Sequence, residues 1–363
     1  MKTFVADGRR SLRLEAARTW RWSAKAAILS ALMPFVMSAS HAKAQSGTEF
    51  YKGKTLRIIV ATAPGAAYDF VARALAASLG RHIPGAPGVT VENMPGAGSL
   101  VMMNTLYNKQ PRDGTVMGLP INGIVLEPRL KMLTREGGVA SFDLSKMAFI
   151  GSPTQQPQIL WVWHGSSFNN AADLKTRKAI MGSTSFGADN YILPKLSNEF
   201  LGTTLEVVPG YNAVNDIFMA GERGEVDGGT ANYSSLAGKS DWVADHKARV
   251  LLQFGTERIA DLSDVPTAVE LAPDEEARAA LRAYALKFKS AYPFVLPPGV
   301  PGGRVEILRK AFMETMKDPQ FVADAQRLGF DVEPVSGEEI AGFISQLDSV
   351  PQTVVDRLRK ALN

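Results

Sequence analysis

Short β-branched runs and longer stretches of helical period alternate along this chain, with turns of small residues at the junctions. Leu56 to Val60 is apolar apart from Arg57, as in a strand covered on both faces. After Pro64-Gly-Ala-Ala, the residues Phe70, Val71, Ala74, Leu75 and Leu79 recur at helical spacing. Asp69 is the expected N-cap of that helix and Gly80 its expected stop. Gly65, Ala66 and Ala67 carry almost no side chain, which leaves backbone amides bare at the helix start. Unpaired N–H groups and the positive end of the helix dipole make such a turn a site for an anion.

The unit recurs twice. Val89 to Val91 predicts a strand, Asn93-Met-Pro-Gly-Ala-Gly-Ser99 a turn, and Leu100 to Leu106 the start of a helix. Lys178 to Met181 predicts another strand, leading through the hydroxyl-rich loop Gly182 to Asn190 into a helix over Tyr191 to Phe200. Pro194 is expected near the start of that helix, where a missing N–H costs little. Strands at Val116 to Leu119 and Leu205 to Val208 and a helix over Ala213 to Ala220 fill the intervals. Around 149–163 the chain reads as a crossing, with Trp161 and Trp163 in an apolar run that suits a core. Beyond Phe254 the pattern turns helical. Ser336-x-x-Glu339 is a capping box, Asp318-Pro319 a cap and first-turn pair, and Val305, Leu308, Phe312 and Met316 a core-facing stripe. No low-complexity linker divides the chain, so two domains would be joined by paired crossings.

Composition changes this picture at the N-terminus. Seven basic residues from Lys2 to Lys25 precede the apolar stretch Ala26 to Met37 and an A-x-A site at Ala42-Lys43-Ala44. Residues 1–44 therefore read as an export leader cleaved near Ala44. Arg9-Arg10 lies far from the apolar stretch, which favours general export over the twin-arginine route. Lys and Arg number 40 in the whole chain and Asp and Glu 36. The leader holds eight of the basic and two of the acidic residues, leaving 32 against 34, a net charge of −2. A basic face for nucleic acid is thus not indicated. The absence of cysteine removes disulfides, thiolate metal sites, cysteine nucleophiles and an N-terminal lipid anchor. An exported, unanchored protein points to the periplasm.

The order of Tyr51-x-Gly-Lys-x-Leu-Arg-Ile-Ile-Val, Pro64-Gly-Ala-Ala-Tyr-Asp69, Val91-Glu-Asn-Met-Pro-Gly-Ala-Gly98, Pro111-x-Asp-Gly114, Gly182-Ser-Thr-Ser-Phe-Gly187, Gly224-Glu-Val-Asp227 and Asp264-Val-Pro-Thr267 resembles the tripartite tricarboxylate transporter receptor family, the Bug proteins. The resemblance covers nearly all of the chain beyond the leader. It implies an α/β periplasmic-binding-protein fold of type II, the Venus flytrap: two α/β lobes with a ligand cleft between them. Lobe I would comprise 45–150 plus 256–363, and lobe II 151–255. It further implies a monomer without cofactor or metal that captures a small carboxylate and delivers it to the membrane subunits of a tripartite transporter. Carried over by motif, the ligand-binding residues are Gly65, Ala66, Ala67 and Asp69, then Ala97, Gly98 and Ser99, then Ser183, Thr184, Gly187 and Asp189.

The chain departs from the family pattern at Ala66, Tyr68, Ala188 and Tyr191. Tyr68 either selects the ligand or merely packs at the start of its helix; a phenol suits both. Two other classes remain open at this point, a ligand sensor for a signalling receptor and an enzyme on a flytrap fold. For the enzyme, H-E-x-x-H, G-x-S-x-G and Walker motifs are missing, and Gly96-x-Gly98 is followed by Val101 where a dinucleotide fingerprint needs glycine. His82, His164 and His246 carry no metal-ligand spacing.

Overall fold

A computed structural model describes residues 47–131, 138–237, 242 and 245–362. The leader and its cleavage site lie outside the described residues. Among those described, strands β1 Thr55–Val60, β2 Gly88–Asn93, β3 Val116–Leu119, β4 Ala148–Ser152, β10 Phe294–Leu296 and β11 Val335–Ser336 form one sheet. Its order is β11-β4-β10-β3-β1-β2. A second sheet, ordered β7-β6-β8-β5-β9, contains β5 Gln158–Trp163, β6 Ala179–Ser183, β7 Leu205–Pro209, β8 Gly228–Asn232 and β9 Ala248–Phe254. The helices used below are α1 Ala67–His82, α2 Leu100–Lys109, α3 Asp189–Leu201, α4 Val214–Glu222, α5 Glu275–Ala285, α6 Gly302–Thr315, α7 Pro319–Arg327, α8 Gly337–Asp348 and α9 Gln352–Ala361.

The apolar run of β1 has a direct cause. β1 lies between β2 and β3, parallel to both, with Ile58 opposite Val91 and Met117. Parallel neighbours need crossover helices, and these cover both faces. Leu56, Ile58 and Val60 bury one face among Val71, Leu75 and Leu79 of α1. Ile59 points the other way, toward Met102, Met103 and Leu106 of α2. The edge strand β2 has solvent on one side, and its residues alternate between exposed and half-buried. Gly118 in β3 lets α2 sit close, since a Cβ there would meet Leu106 Cδ2 at 2.6 Å.

The central strand β10 is a departure from the all-helical expectation beyond Phe254. It pairs antiparallel with β3 and β4 and so completes the middle of the first sheet. Three residues between Pro293 and Pro297 are too few to show a period. The chain passes between the sheets twice, from β4 to β5 and from β9 to β10. The two crossings are bonded to each other: Gln156 N–H donates to Phe288 O at 2.9 Å and Ala291 N–H to Thr154 O at 3.3 Å. Residues 275–289, grouped with lobe I by sequence order, pack α5 against α3 of the second-sheet side and against α9. One buried cluster consequently runs from Ile59 in the first sheet to Leu160 and Met181 in the second.

The capping box at Ser336 and Glu339 forms at the start of α8. Gly80 does not end α1, which continues to His82 and closes with Ile83 N–H on Gly80 O. Two basic residues in the last turn suit the negative end of the helix dipole. They also reach Asp318, which caps α7 by accepting Gln320 N–H at 2.9 Å. Arg81 Nε donates to Asp318 Oδ2 at 2.6 Å, and His82 Nε2 lies 2.7 Å from the same oxygen. Among the described residues no helix is long and apolar enough to cross a membrane. Replacing Asp318 by Ala removes the cap and the ion pairs together and should cost roughly 2–3 kcal/mol in urea unfolding. Asp318→Asn retains an acceptor for the cap and should cost about half as much.

Candidate functional site

Three turns leave the C-terminal ends of β1, β2 and β6, each opening a helix or a helical turn. In the first, Ala66 in extended conformation is the N-cap of α1, which corrects the placement of Asp69 there. Asp69 is the third residue of the helix and reaches back past the cap. Its carboxylate accepts Gly65 N–H at 2.8 Å, Asn93 Nδ2 at 2.9 Å and Arg73 Nε at 3.0 Å. Arg73 also approaches the other oxygen at 2.9 Å. The side chain is 2% exposed. The Arg73 guanidinium, helped by Gly65 N–H and Asn93, holds its pKa down at about 2 against the cost of burial. Gly65 itself sits at φ +82°, a conformation glycine takes without strain. Gly65 N–H is therefore not bare, but Ala67, Tyr68 and Asp69 have amides with no intrahelical acceptor.

Tyr68 spends its hydroxyl inside the protein. It donates to Ala291 O at 3.0 Å and accepts Asn122 N–H at 3.0 Å, while its ring stands edge-on to Tyr292 at 4.9 Å. Burial pushes the phenol pKa up, and the charge of Asp189 across the cleft adds to the shift.

The second turn is a run of positive φ: Gly96 at 143°, Ala97 at 44°, Gly98 at 57° and Ser99 at 89°. Glycine takes such angles freely, but Ala97 and Ser99 cost of order 1–3 kcal/mol each and need support. Ser99 has it. Its amide donates to Gly96 O at 3.1 Å and its buried hydroxyl accepts Ile121 N–H at 3.0 Å.

The third turn repeats the first with different chemistry. Asn190, the second residue of α3, turns its Oδ1 back to accept Thr184 N–H at 3.1 Å and the Ser183 hydroxyl at 2.9 Å. Asp189 starts α3 rather than belonging to the loop, and Pro194 falls six residues in, as a mid-helix proline. Asp189 Oδ1 accepts Lys287 Nζ at 2.6 Å and Tyr284 OH at 2.9 Å. Burial raises the Tyr284 pKa, with Asp189 adding to it.

The twelve positions thus divide by exposure. Asp69, Ser99 and Ser183 are buried and hold the turns in shape. Gly65, Ala67, Ala97 and Gly187 are exposed, and Ala66, Tyr68, Gly98, Thr184 and Asp189 are half-buried. Asn93, Asn190, Tyr284 and Lys287 were not singled out from sequence. The two asparagines lay inside the turns that were, whereas Tyr284 and Lys287 sit in a helical stretch without a motif. Cavities of about 440 and 340 Å³ lie elsewhere, and residues of the three turns line neither. The unpaired amides that suit an anion belong to the turns, so the turns, open to solvent, remain the candidate site. Among the described residues no cluster of three or more His, Cys, Asp or Glu could hold a metal ion.

The family model of the tripartite tricarboxylate transporter family receptor matches residues 71–358, and the chain belongs to that family. A UPF0065 protein of Bordetella pertussis is 24% identical over 321 residues, covering 86% of this chain and 91% of that protein. Among solved structures, a TctC solute-binding protein from Polaromonas is similar with TM-score 0.66 at 16% identity, over 84% of this chain and 99% of its own. Rpa4515 of R. palustris, solved with adipate, is similar with TM-score 0.55 at 18% identity, over 84% and 97%. The fold is accordingly the two-lobed α/β fold of periplasmic solute-binding proteins.

The Asp69 pKa, about 2 in the folded protein against an ordinary 3.8, ties stability to pH. A depressed carboxyl pKa contributes stability that is complete above about pH 5 and is lost as pH falls through 4 toward 2. About 1 kcal/mol should be gone by pH 3. Urea unfolding at pH 6 and pH 3 should show Asp69→Asn losing about 1 kcal/mol less than the parent over that interval.

Proposed function

We propose that this protein is an exported solute-binding protein that captures a small carboxylate between the two sheets and delivers it to the membrane subunits of a tripartite transporter. The observation that carries this reading is the pairing of two helix starts, α1 and α3, whose turns present amides while their acids are already neutralised. Asp69 is balanced by Arg73 and Asp189 by Lys287, so neither charge opposes an incoming anion. The second turn adds accessible backbone at Ala97 and Gly98. The adipate in Rpa4515 supports a carboxylate as the ligand class. The leader at 1–44 supports export to the periplasm. Capture in this reading is without chemistry: the lobes, centred on the two sheets, close about the crossings and the ligand is held by hydrogen bonds, some through water.

Thermal unfolding against mono-, di- and tricarboxylates, aromatic ones included, tests the proposal. A ligand at about a hundredfold its Kd should add roughly 2.7 kcal/mol. No shift with any carboxylate would remove the ligand class. Gly187→Val tests the site: a Cβ there meets nothing within 4 Å, so the ligand-free protein should melt as before. Its bulk at the exposed turn should weaken binding about tenfold or more, equivalent to about 1.4 kcal/mol; unchanged affinity would exclude the third turn.

A further inference from the structure

Strand order sets out in a row everything that leaves the first sheet toward the cleft. From one edge come the segment before β11, the crossings at β4 and β10, the turn after β3, and then the ligand turns after β1 and β2. The cavity of about 440 Å³ lies at the β11 end of this row. Phe330, Asp331 and Glu333 wall it on the first-sheet side, and Tyr233, Ser234 and Ala260 on the second. Gln156 and Phe288, the bonded pair of the two crossings, line it as well. The crossings therefore stand between the cavity and the three turns.

Two bodies joined at a hinge separate on one side as they close on the other. We propose that this cavity is the rear of the hinge, that it widens as the lobes close in front, and that whatever fills it shifts the protein toward the closed state. The inference rests on reading the chain as a binding protein that closes on its ligand. The polar groups of the walls agree with it. Tyr233 OH donates to Asp261 at 3.3 Å within its own wall, and Lys289 at the crossing is paired with Glu257 at 3.0 Å. Asp331 and Glu333 face this wall with the same sign of charge as Asp261. Arg258, a cation of the second wall, is paired with Glu270 at 3.0 Å, so the walls can part without breaking an ion pair between them. The cavity thus acts as a counterweight: at the rear, bulk favours closure, whereas bulk at the ligand turns prevents it.

The protein has no cysteine, so a pair of spin labels can be placed without background. Glu92 on β2 and Glu206 on β7 are exposed, each in a surface ion pair, on the strands farthest from the crossings. Labels at Glu92→Cys and Glu206→Cys should report lobe closure as a shorter distance. Ser234→Trp and Ala260→Trp, both small exposed wall positions, should each shorten that distance in the ligand-free protein. They should also tighten carboxylate binding several-fold, since a larger fraction is already in the competent state. Shortening in either variant supports the proposal. No shortening in either, or a lengthening, overturns it. The parent with adipate, succinate or citrate forms a separate arm. Failure of all three to shorten its distance counts against closure on a carboxylate, while the ligand-free tryptophan variants still decide the role of the cavity.

Discussion

At the two helix starts that flank the cleft, a polar side chain turns back on its own loop. Asp69 takes Gly65 N–H and Asn190 takes Thr184 N–H, each closing the turn that precedes its helix. Without these bonds the turns would be short runs of Gly, Ala and Ser with little to choose between conformations. With them, the first amides of α1 and the exposed backbone at Gly187 are held in place before any ligand arrives. Preorganisation of this kind lowers the entropy that binding must overcome. The use of an acid at this position would repel an anion, and Arg73 removes the objection by sharing both carboxylate oxygens.

The same turns are fastened to one of the crossings. Tyr68 bonds to Ala291 O, and Asp189 bonds to Lys287, four residues earlier in the same crossing. Both sides of the cleft are thus referred to one segment, 287–291, which is itself bonded to the other crossing through Gln156 and Thr154. Lys287 is 7% exposed, and removing it would leave Asp189 without its cation beside the buried Tyr284. The segment is therefore a structural tie that joins both turns to the two crossings.

Much of this was legible in sequence. α1 and the core stripe of α6 announced themselves by period, β1 by its apolar run and the capping box of α8 by residue type, because each is a local pattern. The three turns were legible because small residues between a strand and a helix have few other uses. Their internal bonding was not. That Asp69 reaches past Ala66 to Gly65 depends on Asn93 and Arg73 being near, and Asn93 arrives from a neighbouring strand. β10 was hidden because three residues carry no period, and its assignment depends on β3 and β4 lying on either side. Lys287 and Tyr284 were hidden for the same reason: their importance is conferred by Asp189, almost a hundred residues away in the chain.

In the proposed binding mode, backbone amides of three turns, held by buried side chains, receive the ligand. Amide hydrogen exchange with and without a carboxylate that shifts the melting curve tests it most directly. Slowed exchange at 65–69, 97–99 and 184–189 together is the predicted result. Protection confined to the walls of the 440 Å³ cavity, with the three turns exchanging as before, would contradict it.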